Sequence, residues 1–294
     1  MASTSRNDYI YNINIRTMRL PDSSHARHVA FLRYVQSIHE PPERRNPDTL
    51  VRHFLPPFQR WRAAWLGPDA LLHLRSDPFY SYLIARTRYY DQMFLDAIAG
   101  GVRQIIGVGC GSDTRAYRFR QALIDGGVHV LECDQPDAIK VKRRVARRWR
   151  ASDYVEYLAI DLNDKQWPQL TAKMNHTGHK VLLMLEGVSP YVNESNFAAF
   201  LGMAAQHLAA GSLVAYDYKL RGVKEDFGRT GRTRIPFRMS ALPADVAAFH
   251  ENLHLRLEHC ELSSDLSARL LPDLRESRAA LFEEDGLARL TVEP

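Results

Sequence analysis

Gln104–Pro136 reads QIIGVGCGSDTRAYRFRQALIDGGVHVLECDQP: an apolar run, a glycine-rich turn, a helical stretch, a second apolar run and then two acids. That order suits a nucleotide-type cofactor held at the end of a parallel strand. Gly107, Gly109 and Gly111 follow Ile105 and Ile106 directly. Missing Cβ atoms there let the chain turn tightly and approach a ligand. Glu132 and Asp134 close the next apolar run, where an ionised carboxylate can accept from both hydroxyls of a ribose; Asp134 is the better placed. A glycine triplet alone is weak evidence, and an ordinary strand-to-helix turn is its alternative reading. The strand and the acids that follow strengthen the cofactor reading.

The spacing also bears on which cofactor. A dinucleotide fingerprint spaces its glycines G-x-G-x-x-G and seats a pyrophosphate on the helix N-terminus. Here the turn runs Gly107-Val108-Gly109-Cys110-Gly111-Ser112-Asp113, which sets an acid where a pyrophosphate would lie. S-adenosylmethionine, with a cationic sulfonium and no phosphate, fits better.

Outward from this stretch the pattern alternates as a doubly wound α/β sheet should. Strands are expected at Gln104–Gly107, His129–Glu132, Tyr154–Ile160, Val181–Leu185, Leu213–Tyr218, Leu253–Cys260 and Ala288–Val292. The hundred residues before them read as helical. Ser23–Ile38 is stopped by Pro41 and Pro42, Thr49–Leu55 and Pro57–Leu74 suggest further short helices, and Tyr80–Ile98 leads into the first strand. Phe54, Phe58, Trp61 and Trp65 read as a core cluster, with a lid over a substrate pocket as the alternative. The division expected is a helical cap over residues 1–100 on a cofactor-binding core over 101–294, forming one compact unit.

Composition excludes several classes. No apolar run approaches the ~20 residues of a membrane helix, and MASTSRNDYIYNINIR lacks the apolar segment of a secretory signal. Cys110, Cys133 and Cys260 form neither a CxxC nor a zinc spacing, so no metal site is expected and cytoplasm is the default. The net charge of +5 draws attention to KVKRRVARRWR at Lys140–Arg150. Val141, Val145 and Trp149 recur there every four residues, so the segment reads as an amphipathic helix with a solvated basic face. No nucleic-acid module accompanies it. His250 and His254 share a helical spacing but lack an HExxH context, so neither catalysis nor metal binding is assigned to them.

GVGCGSDTRAYR, ECDQP with Lys140 beyond it, IDL at Ile160–Leu162 and LEGVSPYV at Leu185–Val192 together resemble the leucine carboxyl methyltransferase family. The family includes enzymes that methylate the C-terminal carboxylate of a protein phosphatase and bacterial O-methyltransferases of polyketides. The resemblance runs from about Ser23 to the C-terminus. It implies the Rossmann-like, seven-stranded class I methyltransferase sheet with helices on both faces, its last two strands joined by a hairpin-like excursion, and a helical N-terminal lid. It also implies roles. Gly109 and Gly111 would lie against the methionine part of the cofactor, Asp134 would bind the ribose, and Asp161 with the Leu162 backbone would hold the adenine. A helix-capping Asp161 is the plain alternative. Glu186 would hold the cofactor's amino-acid end and Tyr191 would stand near the substrate, a simply packed tyrosine being the alternative.

Arg86 and Arg88, at i and i+2, point to different faces of a helix. The resemblance selects Arg86 for a carboxylate of cofactor, substrate or both; Arg88 suits packing. Where the family often has a Lys before an Ala, this chain has Ser24-His25-Ala26, leaving His25 or Arg33 as substitutes. A carboxylate acceptor, ionised at neutral pH, needs no base, whereas a phenol with a pKa of about 10 does. The expected substrate is a small-molecule or polyketide-like acid, with a phenolic hydroxyl or a protein C-terminus as alternatives. A nicotinamide-dependent oxidoreductase and a non-catalytic cofactor-binding scaffold are the rival classes. KLRGVKEDFGRTGRTRIPF at Lys219–Phe237 reads as a basic loop able to close over an acidic substrate.

Overall fold

A computed structural model of the chain describes residues 22–151, 153–164, 167–174, 178–223, 236–276 and 281–294. Eight strands form one sheet: β1 Gln104–Val108, β2 His129–Asp134, β3 Val155–Ala159, β4 Val181–Leu185, β5 Leu213–Leu220, β6 Arg238–Met239, β7 Leu255–Leu262 and β8 Asp285–Val292. Their order is β3-β2-β1-β4-β5-β8-β7, with β6 paired to the end of β5. The first five are parallel neighbours, while β8 runs antiparallel between β5 and β7. This is the doubly wound sheet implied by the resemblance, with its seven strands and the hairpin-like return at the end.

Ten helices of seven or more residues pack around it: α1 Asp22–His39, α2 Pro57–Ala64, α3 Pro68–Arg75, α4 Pro78–Ala99, α5 Arg120–Gly126, α6 Pro136–Ala146, α7 Pro168–Met174, α8 Glu194–His207, α9 Pro243–Glu251 and α10 Ser263–Leu270, counted among the described residues. The central strands feed two cores, because alternate side chains leave opposite faces. Ile105, Leu182 and Met184 join the cluster of α1 and α4 on one face; Ile106, Leu183 and Leu185 join that of α7 and α8 on the other. β4 is therefore buried along its whole length, as a parallel strand covered on both faces must be. The N-terminal helices share the first core, and α4 anchors them: Asp77 caps it by accepting from the Phe79 N–H at 3.0 Å, and Pro78 opens its first turn.

Several sequence expectations shift. Pro57–Leu74 breaks into two helices around Gly67-Pro68, and Leu50–Phe54 is a 3-10 turn. The aromatic cluster expected in the core is split. Phe54 lies against Trp149, whereas Phe58, Trp61 and Trp65 face outward, since the short α2 turns Ala63 into the core instead. β7 starts two residues late because His254 takes φ +56°, turning the chain out of α9. β6, a two-residue strand, had no periodicity to betray it. Residues 224–235 of the basic loop, and residues 1–21, lie outside the described residues.

The basic segment is also arranged differently from its four-residue stripe. Val141 is 47% exposed, while the intervening Lys142 is fully buried. The reason is Glu132, whose carboxylate points into the core and needs a cation there. Lys142 Nζ lies 2.9 Å from one oxygen and the Tyr117 hydroxyl donates to the other at 2.7 Å. Glu132 is thus enclosed in the core at 3% exposed, whereas Asp134 ends β2.

Candidate active site

β1 has β2 on one side and β4 on the other, so the crossovers diverge at its carboxyl end and leave a crevice there. A cavity occupies that point. It is walled by the turn Gly107–Asp113, by Met184, Glu186 and Gly187 after β4, by His25, Val29 and Arg33 of α1, by Phe79 and Arg86 of α4, and by Pro190, Tyr191, Asp217, Lys219 and Asp285.

The glycine turn is dictated by crowding. Gly109 has φ +68°, and a Cβ on it would fall 2.3 Å from the Val188 Cγ2. Gly111, at φ +39°, donates its N–H to Asp134 Oδ2 at 2.7 Å. The Gln135 N–H donates to Asp134 Oδ1, also at 2.7 Å. Burial pushes the Asp134 carboxyl above its usual value, and those two donors oppose the shift. Asp134 thus stands just behind the turn at the tip of β2 without lining the cavity itself. Asp161 is next to it at the tip of β3, tied through the Gln135 side-chain amide at 3.2 Å. Its other oxygen accepts from the Asn163 N–H at 2.8 Å and so caps the 3-10 turn Leu162–Asp164. Leu162 is buried beneath that turn.

Behind the glycine turn a chain of charges crosses the cavity floor. Arg115 is 1% exposed. It donates to Asp91 and Asp113 at 2.8 Å each and to Glu186 at 2.7 Å. Glu186 lies 3.3 Å from the Arg86 Nε, an ionic contact without hydrogen-bond alignment. The Arg86 Nη1 donates to Asp217 at 3.1 Å, and Arg118 grips both oxygens of Asp91 at 2.6 Å. Although burial works against its ionisation, Asp113 is held well below the usual carboxylate range by Arg115 and then by Lys142. Its charge is therefore shared with Arg115, which softens the repulsion its position alone suggested. Burial lifts Asp217 to about 6 against the pull of Arg86. Asp217 also organises the turn after β4, accepting from the Gly187 N–H at 2.6 Å while its carbonyl accepts from the Ser189 hydroxyl at 2.7 Å.

Three guanidiniums thus face four carboxylates in one buried network. The surplus negative charge suits a cation with no phosphate. Lys219, another cation of this region, is drawn instead to Asp285 at 2.6 Å. Across the cavity His25 is held at about 4 by burial first, then by His28 and by Arg86 and Lys219, so it is neutral at pH 7. Its ring lies 6.1 Å from that of Tyr191.

The structure therefore brings Arg86, Gly109, Gly111, Glu186 and Tyr191 around one cavity, together with His25 and Arg33. Asp134, Asp161 and Leu162 gather at the neighbouring strand tips. Arg88 turns away and donates to the carbonyls of Glu43, Arg45 and Leu270. Sequence reasoning passed over Arg115 although it stands inside the quoted GSDTR motif. It also passed over Asp217 and Lys219. Two charges at i and i+2 within the apolar strand LVAYDYKL were the available signal.

The sequence profile described as leucine carboxyl methyltransferase matches residues 26–205. A protein of Mycobacterium ulcerans, provisionally named an S-adenosyl-L-methionine-dependent methyltransferase, is 30% identical over 161 residues, 54% of this chain and 50% of its own. One of Streptomyces avermitilis, named in the same provisional way, is 31% identical over 185 residues, 62% of this chain and 64% of its own. The match to the first of these spans about half of that relative's length. Among solved structures, magnesium protoporphyrin IX methyltransferase of Synechocystis PCC 6803, with bound SAH, aligns with TM-score 0.45 at 11% identity, covering 80% of this chain and 93% of that one. The Burkholderia thailandensis 1,6-didemethyltoxoflavin-N1-methyltransferase aligns with TM-score 0.44 at 12% identity, covering 78% and 92%.

Proposed function

The chain belongs to the leucine carboxyl methyltransferase family, and from that premise we propose that it methylates a carboxylate oxygen of a small natural-product or polyketide-like acid, using S-adenosylmethionine. The observation that carries the reading is the surplus of carboxylate in the network of Arg86, Arg115 and Arg118 with Asp91, Asp113, Glu186 and Asp217, directly behind a glycine turn where Val188 leaves no room for a Cβ at Gly109. A sulfonium and an ammonium are stabilised by such a floor, whereas a pyrophosphate is not. When bound, S-adenosylmethionine supplies a methyl group on a cationic sulfur that keeps the electron pair as the oxygen–methyl bond forms.

In this reading Asp134 accepts from the ribose hydroxyls, Asp161 and the Leu162 main chain flank the adenine, and Glu186 takes the ammonium of the amino-acid end. Arg86, its plane fixed by Glu186 and Asp217, attracts the carboxylate of the acid, and Tyr191 borders the acceptor. The helices before residue 100 cap the core and keep water from the acceptor oxygen.

The state of His25 favours a carboxylate over a phenol. An imidazole held at about 4 is a weak base at neutral pH, which suits an acceptor that arrives already ionised, as a carboxylate does. Incubation with cofactor labelled in its methyl group and a panel of aromatic and polyketide-like acids and phenols tests this. The expected product releases labelled methanol under mild alkali, as an ester does. An alkali-stable labelled product would show an ether and overturn the carboxylate assignment.

A further inference from the structure

Four large apolar side chains on α2, at its C-terminus and on α3 face away from the protein: Phe58, Trp61, Trp65 and Leu72 are 64%, 67%, 76% and 68% exposed. Phe58, Trp61 and Trp65 recur at i, i+3 and i+7, so they form one stripe, while Ala63 is fully buried. Exposed apolar side chains on a soluble protein are normally scattered singly; a contiguous stripe marks a contact surface.

A basic rim lies beside the stripe, part of it supplied by a distant segment. The His53 ring stands edge-on to Trp149 at 5.7 Å, and Arg148 pairs with the same imidazole. Burial first, and then Arg148, Arg52 and Arg60, depress the His53 pKa, which places all three guanidiniums around it. Arg62 lies 5.2 Å over the Phe31 ring of α1. Asp69 is the one acid in residues 50–75, and residues 140–150 contain none.

We propose that this face docks on an anionic lipid bilayer, with the aromatic stripe at the level of the headgroups and the arginines on lipid phosphates. Indole and phenyl rings partition to that interface, and clustered arginines are drawn to its negative surface. The charge also argues against self-association, since a symmetric dimer through this face would bring two arginine rims together. Leu72, an aliphatic side chain as exposed as the rings, suits acyl chains better than the stacked bases of a nucleic acid. Because α2 packs on α1, whose His25 and Val29 line the cavity, the docked face adjoins the cavity.

The test is sedimentation of the full chain with phosphatidylcholine vesicles, plain or carrying about one-third phosphatidylglycerol. Binding is expected to the anionic vesicles, several-fold weaker to the neutral ones, and to fall with added salt. Trp61→Ser with Trp65→Ser should abolish it at an unchanged melting temperature. Arg52→Glu with Arg148→Glu, both exposed positions, should weaken it about ten-fold or more and serves as the second variant should the first fail to fold. In the wild type, vesicles should shift tryptophan emission to the blue, and Trp61→Phe with Trp65→Phe should remove that shift. A wild type that stays in the supernatant overturns the proposal, as does a serine variant that still sediments. Retention of single-stranded RNA without vesicle binding would give the face to a nucleic acid, and a doubled mass in solution that the serine variant lacks would give it to a second copy; either result overturns it.

Discussion

The two sides of the cavity are built in different ways. On the β1 side the main chain itself is the wall: Gly109 and Gly111 hold left-handed conformations, and Asp134 fastens the turn by accepting the Gly111 N–H. On the α4–β5 side the wall is a set of side chains, Arg86, Glu186 and Asp217, backed by Arg115, drawn from segments up to 131 residues apart and held by charge. The difference implies opposite weaknesses. The first wall fails when atoms are added, and the second when a charge is removed.

The largest effect is expected on the charged side. Arg115→Ala leaves Asp91, Asp113 and Glu186 without their shared buried cation; Asp91 retains Arg118 and Glu186 retains Arg86, but Asp113 loses its ion-pair partner. Removing one partner of a buried ionic cluster costs about 3–5 kcal/mol. Urea unfolding should show a loss of that size. A loss nearer ~1 kcal/mol, the size of an exposed pair, would mean that water already screens the network.

Gly109→Ala should come next and act on the other wall. The new Cβ meets Val188 Cγ2 at 2.3 Å in a backbone conformation that L-residues rarely take. Overpacking costs about 1–3 kcal/mol, and the displaced turn should lose cofactor binding by calorimetry. Adding Val188→Ala separates the two causes, since it removes the clash but not the strain at φ +68°. Full rescue by the double variant would show that the wall is set by packing alone.

The same contrast explains what could be read in the sequence. The glycine turn, its strand and Asp134 lie within about thirty residues, so local spacing carries them, as it carries the fully apolar β4. Arg115, Asp217 and Lys219 gain most of their meaning from partners brought close by the sheet, and a local pattern, such as two charges in an apolar strand, can flag the residue but not name those partners. Lys142 shows the limit clearly. A four-residue stripe placed Val141 inside, but the buried Glu132 across the fold required a cation one residue further on. Phe58, Trp61 and Trp65 show it from the other side, since residue type predicted a core that their short helix does not provide.

A binding measurement sharpens the division between the walls. Asp134→Asn keeps an oxygen for the Gly111 N–H and leaves the Gln135 N–H, at an exposed position, to water, so the melting temperature should fall only slightly. It removes the charge proposed to hold the ribose, and affinity for S-adenosylmethionine should fall about ten-fold or more. Unchanged affinity by calorimetry would move the ribose away from β2.

The smallest effect is a pH dependence to which Asp217 and His25 contribute with opposite signs. Asp217 is lifted from its ordinary 3.8 to about 6 in the folded state, so between those values the folded protein keeps a proton that the unfolded chain releases. Its contribution therefore diminishes as pH rises through that window. His25 is lowered from 6.5 to about 4, so over nearly the same window the unfolded chain binds a proton that the folded one refuses, and its contribution diminishes as pH falls. The two slopes oppose each other and partly cancel. Replacing one group should expose the other as a change from the wild-type profile. Asp217→Asn should make stability rise more steeply with pH between about 4 and 6 than in the wild type, and His25→Gln less steeply, each by on the order of 1 kcal/mol. Unfolding midpoints across that range decide it: parallel profiles in the two variants would mean that neither group carries a shifted proton, and that the wall holds its charge without strain.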